Sequence, residues 1–219
     1  MKKYDVIVAG AGPSGMMAAI AASENGAHTD LIDKNPKVGK KLLMTGGGRC
    51  NVTNSHSVEE IIAHVPGNGR FLHSAFTQFS NLDIIDFFEK NGIVLKEEDH
   101  GRMFPITNKS KTIIDALFDK LQELGVDYFP SSAVTQLNIK DGTIKGLETE
   151  SDSFKAPCVI LSTGGRPTPQ QVQLVMGISW RERQGILSRL FTPQKLLLFP
   201  QRNLSVSELY KAFPFVIFG

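Results

Sequence analysis

The chain has 219 residues, 41% of them hydrophobic, with 24 Lys/Arg against 22 Asp/Glu and 2 cysteines. That length suits one domain or a domain with an appendage, and the apolar share supports a real core. A net charge of +2 gives no ground for a nucleic-acid partner, Cys50 and Cys158 make no disulfide framework, and no apolar run approaches a membrane span.

A cytoplasmic protein with a small-molecule substrate is therefore expected. Met1, Lys2 and Lys3 lead straight into an apolar run, which leaves no room for a signal peptide. Residues 4–9 (YDVIVA) are β-branched and short enough to be a strand buried on both faces. Gly10-Ala11-Gly12-Pro13-Ser14-Gly15 follows as a G-x-G-x-x-G. Residues 16–24 contain no helix breaker, and Asn25-Gly26 is a natural helix stop. Residues 28–33 form a second strand ending in Asp33, about twenty residues past the last glycine, as the dinucleotide fingerprint requires.

Each fingerprint position has a physical task. Gly10 permits the tight turn, Gly12 admits a pyrophosphate to the backbone, and Gly15 lets helix and strand pack closely. The helix N-terminus offers free N–H groups to the phosphates, and Asp33 accepts from ribose hydroxyls.

Residues 35–43 are a basic connection, where Lys34, Lys37, Lys40 and Lys41 form either a solvated loop or a rim near phosphates. Next come Gly46, Gly47 and Gly48, then Arg49, Cys50, Asn51, Thr53 and Asn54. Three consecutive glycines bring backbone N–H groups close to a neighbour, and a plain flexible loop of this kind is costly in entropy. A second cofactor-contacting loop is the expected role. Cys50 reads as a small packed residue rather than a redox thiol.

Residues 57–64, 69–79 and 81–90 have helical spacing, with Ser80 and Asn81 as a cap, and residues 93–96 read as a strand. The aromatics of these helices are expected in the core. Residues 97–105 (EEDHGRMFP) form a polar stretch in which His100 is either a proton donor or a histidine in a turn, with Arg102 an anion-binding group. These two are the catalytic candidates. Residues 109–124 form an amphipathic helix and residues 126–129 a strand. Residues 133–139 and 143–148 make a β-hairpin about an Asp-Gly turn, extended by 152–155. Residues 158–161 are another buried strand, running into Thr163-Gly164-Gly165 at the sheet edge where ligands of open α/β sheets bind. No metal site is expected.

A glycine fingerprint, an antiparallel β-meander and a strand ending in Thr-Gly-Gly, in that order, are the layout of large FAD-binding domains. A plain NAD(P)-binding domain and a fragment without function are the alternatives. Residues 1–170 resemble a bacterial flavoprotein family described as BaiN/RdsA-like or aminoacetone-oxidase-like. The matching stretches are VIVAGAGPSGMMAA, GKKLLMTGGGRCNVTN, EEDHGRMFPITNKS and VILSTGGRPTPQ. The resemblance implies an α/β Rossmann-like fold, a parallel sheet with helices plus a small antiparallel β-meander. It implies FAD held by Gly10, Gly12, Pro13, Ser14, Gly15, Asp33 and Lys34. It adds Lys41, Gly46, Gly47, Gly48, Arg49, Cys50, Asn51, Thr163, Gly164 and Gly165, with Val134 a backbone contact to adenine. It names an oxidoreductase without naming a substrate; NAD(P)H is the candidate electron donor.

The resemblance stops at Gln170. Residues 171–219 carry six Lys/Arg and two acids, and lose every glycine signal of the family. Read one base earlier, residues 171–178 permit T-G-S-T-G-D-G-Y, residues 184–188 permit A-G-H-T-I, and residues 210–217, with the preceding base from Leu209, permit L-Q-G-L-S-L-R-D-I. All three match the family in order, and the single codon of Met176 forces the seventh residue of the first to be glycine. The expected organisation is therefore an FAD-binding portion at 1–170 and a poorly ordered, out-of-frame tail at 171–219. A truncated fold with an open sheet edge, exposed apolar clusters in the tail, weak or absent FAD binding and no turnover follow from that reading.

Overall fold

In the computed structural model of the chain, residues 3–164 and the pair Leu197–Leu198 are described. The fold is built outward from its first strand. β1 (Val6–Ala9) is buried along its whole length. It pairs in parallel with β2 (Thr29–Ile32) on one side and with the late strand β10 (Cys158–Leu161) on the other. β6 (Asp127–Phe129) joins β2 in parallel. A two-residue strand, β11 (Leu197–Leu198), pairs antiparallel with β10 and completes the order β11-β10-β1-β2-β6. The sequence expects the sheet to keep an open edge; β11 covers β10 over two residues, Ile160 and Leu161. Gly165 and, apart from Leu197–Leu198, the proposed tail at 171–219 lie outside the described residues.

Side chains alternate across a strand, so β1 feeds two cores. Val6 and Val8 face a helical layer made by α1 (Pro13–Glu24) and α5 (Ser110–Glu123), where Ile113, Ile114, Leu117 and Leu121 pack. Ile7 and Ala9 face the meander β7 (Val134–Lys140), β8 (Thr143–Thr149) and β9 (Ser153–Lys155), through Leu137, Ile144, Leu147 and Phe154. The result is helix, parallel sheet and antiparallel meander in three layers, as expected from the sequence. The β7–β8 turn has φ of 52° at Asp141 and 69° at Gly142. Those values suit a tight hairpin turn with two left-handed residues.

α1 is buried from Gly15 to Ala22, which explains its alanine-rich, weakly amphipathic sequence: it lies between the sheet and α5. α2 (Val58–Ala63) and α4 (Asn81–Lys90) begin with capping boxes at Ser57 and Ser80. The span 69–79 does not form one helix. A 3₁₀ turn at Gly69–Leu72 precedes the short α3 (His73–Gln78). Leu72 is buried while Phe71 is exposed, and on α4 Leu82 is exposed while Phe88 is buried. The expectation that these aromatics and aliphatics form core therefore holds only for the inward face.

A third sheet has the order β3-β5-β4, from β3 (Thr53–Asn54), β5 (Arg102–Pro105) and β4 (Leu95–Glu98). The strand expected at 93–96 starts two residues later. Val94 is exposed beyond the ladder, and pairing with β5 sets the register from Leu95↔Pro105 to Glu98↔Arg102. No helix of the described residues is long and apolar enough to cross a membrane.

Candidate cofactor-binding site

β1, β2 and β10 run parallel and end at one edge, so the turns that follow them meet there. The backbone N–H of Gly10 donates to the carbonyl of Ile32 at 2.7 Å. The Ser162 N–H donates to the carbonyl of Ala9 at 2.8 Å. The Ser162 hydroxyl lies 2.9 Å from the carbonyl oxygens of both Ala9 and Gly10. The basic connection is tied in as well, because Gly39 N–H donates to the Ala11 carbonyl at 2.8 Å. That link brings Lys41 alongside: its Nζ is 3.7 Å from where a Cβ on Gly164 would stand.

The glycines of the fingerprint separate by cause. A Cβ on Gly10 would stand 2.5 Å from the Ser162 carbonyl oxygen, and one on Gly15 would stand 1.8 Å from the Gly10 carbonyl oxygen. Packing explains both. Gly12 is different: its φ is −78° and ψ 177°, which any residue adopts, and a Cβ there meets nothing within 4 Å. Neither strain nor packing asks for glycine at this position. It is the residue preceding α1, whose N-terminus has no side-chain cap and no acid in its first turn. Pro13 occupies the first helical position and Ser14 the next. Bare N–H groups beside open space are an anion site.

Asp33 sits at this turn. Its Oδ2 accepts from the Ala11 N–H at 2.6 Å, and its Oδ1 accepts from the Asn35 N–H at 2.7 Å and the Asn35 Nδ2 at 2.8 Å. A carboxylate has about four acceptor positions, so room remains for one more donor, such as a ribose hydroxyl. Asn35 was not visible as a site residue in the sequence; its position two after the acid is the signal. Lys34 is exposed beside it. Val134 opens β7, half-buried against the meander core.

The second glycine loop lies in a broken 3₁₀ segment, Leu42–Gly48. Gly46, Gly47 and Gly48 are exposed, and a Cβ on Gly47 meets nothing within 4 Å. Next to them the Oδ1 of Asn51 is buried with no hydrogen-bond partner. An orphaned buried acceptor at the rim of an open glycine loop fits a donor from a bound group. Cys50 is only 2% exposed and burial raises its thiol pKa, partly opposed by Thr45. Those features fit a packed residue.

Arg49 points elsewhere. Its Nη2 donates to Glu98 Oε1 on β4, its Nε donates to Asn108 Oδ1 at 3.2 Å, and its guanidinium lies 4.2 Å from the centre of the Phe104 ring. Glu98 also pairs with Lys96 Nζ at 2.9 Å. These two cations hold the Glu98 carboxyl down to about 2. His100 and Arg102 lie on the β4–β5 turn, both exposed, His100 with a φ of 60°. The His100 carbonyl accepts from Asn54 Nδ2 at 2.7 Å, and Arg102 Nε donates to the Asp99 carbonyl at 3.0 Å. The structure thus gathers Gly10, Gly12, Gly15, Asp33, Lys41, Thr163 and Gly164 at one edge. It joins the triple-glycine loop to the hairpin of His100 and Arg102 through Arg49. Among the described residues there is no group of three or more His, Cys, Asp or Glu able to hold a metal.

A parallel sheet with a bare glycine turn, backed by helices on one face and a meander on the other, defines an FAD-binding Rossmann-like fold. The flavocytochrome c3 fumarate reductase structure shares it, at a TM-score of 0.55 and 25% identity, over 80% of this chain and 37% of that one. The chain belongs to the HI0933-like family of FAD-dependent proteins, whose Rossmann domain matches residues 4–187. It is 34% identical over 169 residues to the ribosomal RNA dihydrouridine synthase of Escherichia coli K12, covering 77% of this chain and 41% of that one. It is 29% identical over 163 residues to the 3-dehydro-bile acid delta(4,6)-reductase of Clostridium scindens, covering 73% of this chain and 38% of that one. The chain therefore spans about two fifths of the length of these curated relatives.

Proposed function

We propose that this chain is the cofactor-holding portion of an FAD-dependent oxidoreductase. The observation that carries the reading is Gly12, a glycine that neither backbone strain nor packing requires, at an uncapped helix N-terminus. Gly10, Gly12, Pro13, Ser14 and Gly15 would hold the pyrophosphate, with Asp33 and Lys34 on the ribose and Val134 at the adenine. Lys41, Thr163, Gly164 and Gly165 would meet the phosphates from the β10 side. Gly46, Gly47, Gly48, Cys50 and Asn51 would line the flavin side, the free Asn51 Oδ1 accepting one hydrogen bond.

FAD bound there supplies the hydride and electron transfer. The chain's own residues bind it, orient it and exclude water. The two curated relatives are named for making a dihydro-nucleoside and for reducing a bile acid. We read the shared element, hydrogen added to an unsaturated ring, as the reaction class, with NAD(P)H as the hydride source. His100 as proton donor and Arg102 as anion contact are the catalytic candidates.

Residues 171–219 are read as out of frame, on the three ordered matches one base earlier. The family match runs on to residue 187, and the nucleotide sequence across codon 170 is the test. Titration of the 219-residue chain with FAD, followed by flavin fluorescence, should show weak binding. A gene carrying one added A at codon 170 should give a longer protein that copurifies yellow. Tight NAD binding with no affinity for flavin in either protein would overturn the cofactor assignment.

A further inference from the structure

The triple-glycine loop has little in its own backbone to fix it. Gly46, Gly47 and Gly48 have φ of 54°, 65° and 85°, and Cys50 has 61°. Glycines lose the most conformational freedom on ordering, so this segment is costly to hold in one shape. Outside the 3₁₀ turns its backbone bonds run from Arg49 N–H to the Gly46 carbonyl at 3.3 Å and from Cys50 N–H to the Thr45 carbonyl at 3.1 Å.

Past the loop, Val52 N–H donates to the Met103 carbonyl at 2.8 Å, and the side chain of Arg49 adds a constraint nearer the glycines. Glu98, Phe104 and Asn108 all belong to the β4–β5 hairpin and the turn after it, and Arg49 engages each of them. The contact is also steric. A Cβ on Gly46 would stand 3.2 Å from Phe104 Cε1, so the loop rests on the same ring that the guanidinium covers. Phe104 is 2% exposed and does not yield. Lys96 Nζ pairs with the same Glu98 Oε1 at 2.9 Å, a second cation on that oxygen.

We infer that Arg49 is a positioning residue, not a phosphate ligand: it latches the triple-glycine loop to the β4–β5 hairpin, so that the flavin-side loop and the turn bearing His100 and Arg102 form one body. Its consequence for flavin orientation rests on the FAD reading; the latch itself does not. A guanidinium is needed because its planar fork serves Glu98 and Asn108 while its face stacks on Phe104. An ammonium can do one of these, whereas a plain phosphate contact tolerates lysine.

The test is peptide-resolved hydrogen exchange on the 219-residue chain without ligand. Arg49→Lys, Arg49→Ala and Glu98→Gln should each speed exchange across residues 44–51 and 97–104 by about tenfold, the scale of one charge-assisted hydrogen bond. The double variant Arg49→Ala/Glu98→Gln should add little, because both remove one interaction. Lys37→Ala is the control and should change neither segment. Parental protection in Arg49→Lys, or full additivity in the double variant, would overturn the latch. A parallel FAD titration judges the cofactor reading separately. Loss of protection with no flavin binding by the frame-restored protein keeps the latch and rejects that reading.

Discussion

The Asp33 carboxylate accepts the backbone N–H of Ala11 at 2.6 Å, joining the end of the second strand to the middle of the glycine turn. The acid therefore has a task before any ligand arrives: it fixes the turn. Asp33→Ala removes that bond and the two from Asn35 together. The expected loss is about 1–3 kcal/mol of stability for leaving buried donors unmatched, read by urea unfolding of the ligand-free chain. An unchanged midpoint would mean that neighbouring bonds hold the turn without it.

Gly12 and Gly15 should fail in opposite ways. Gly12→Val places its side chain in open space, so the variant should melt with the parent yet lose affinity for flavin. Gly15→Val drives a side chain into the Gly10 carbonyl oxygen, which a built Cβ already approaches to 1.8 Å. Overpacking of this kind costs roughly 1–3 kcal/mol or more. Circular-dichroism melts of the two variants side by side separate the causes, and equal melting temperatures would sink the distinction.

Glu98 should give an acid-sensitive contribution with a defined sign. The hydrogen bond from Arg49, then that from Lys96, holds its carboxyl at about 2, below the ordinary glutamate value of about 4.3. A depressed carboxyl favours the folded chain above its unfolded value and stops doing so as pH falls through the folded value. The stability gap between parent and Glu98→Gln should therefore be constant above pH ~5, narrow between pH ~4 and ~2, and close below that. A gap that persists at lower pH would show that the carboxylate acts otherwise.

Neither cysteine should react in the folded chain. Burial pushes the Cys158 thiol up to about 11 and raises Cys50 as well. Thiolate is then scarce at pH 8, and access is closed at both sites. A disulfide reagent that releases a coloured thiol should report no reaction in native buffer and both thiols in denaturant. Rapid labelling of Cys50 in the native state would revive its redox role.

What was legible in the sequence was local. The first strand, the glycine turn and the helix each carry their own pattern, and so do the Asp-Gly hairpin and the Ser80 cap. What was not legible depends on partners far along the chain. β3 and β5 draw on Thr53, Asn54 and Arg102, polar residues that become strand only because they pair with each other and with β4. The site divides the same way. The glycines announce a phosphate turn, but nothing in their spacing says that Asp33 bonds to Ala11. Nor could the run G-G-G-R show that its arginine turns toward Glu98, because the pairing depends on how the hairpin folds back.

The Ser162 hydroxyl reaches the carbonyls of Ala9 and Gly10 across separations of 153 and 152 residues. On a ribosome, the turn that opens the chain is thus finished by a residue made much later. Until Ser162 has left the exit tunnel, β1 lacks its β10 neighbour and the glycine turn lacks its brace. Synthesis proceeds at about 5–20 residues per second, so the nascent chain would spend several seconds with a complete fingerprint and an incomplete cradle. A flavin captured during translation would have to wait for that last strand.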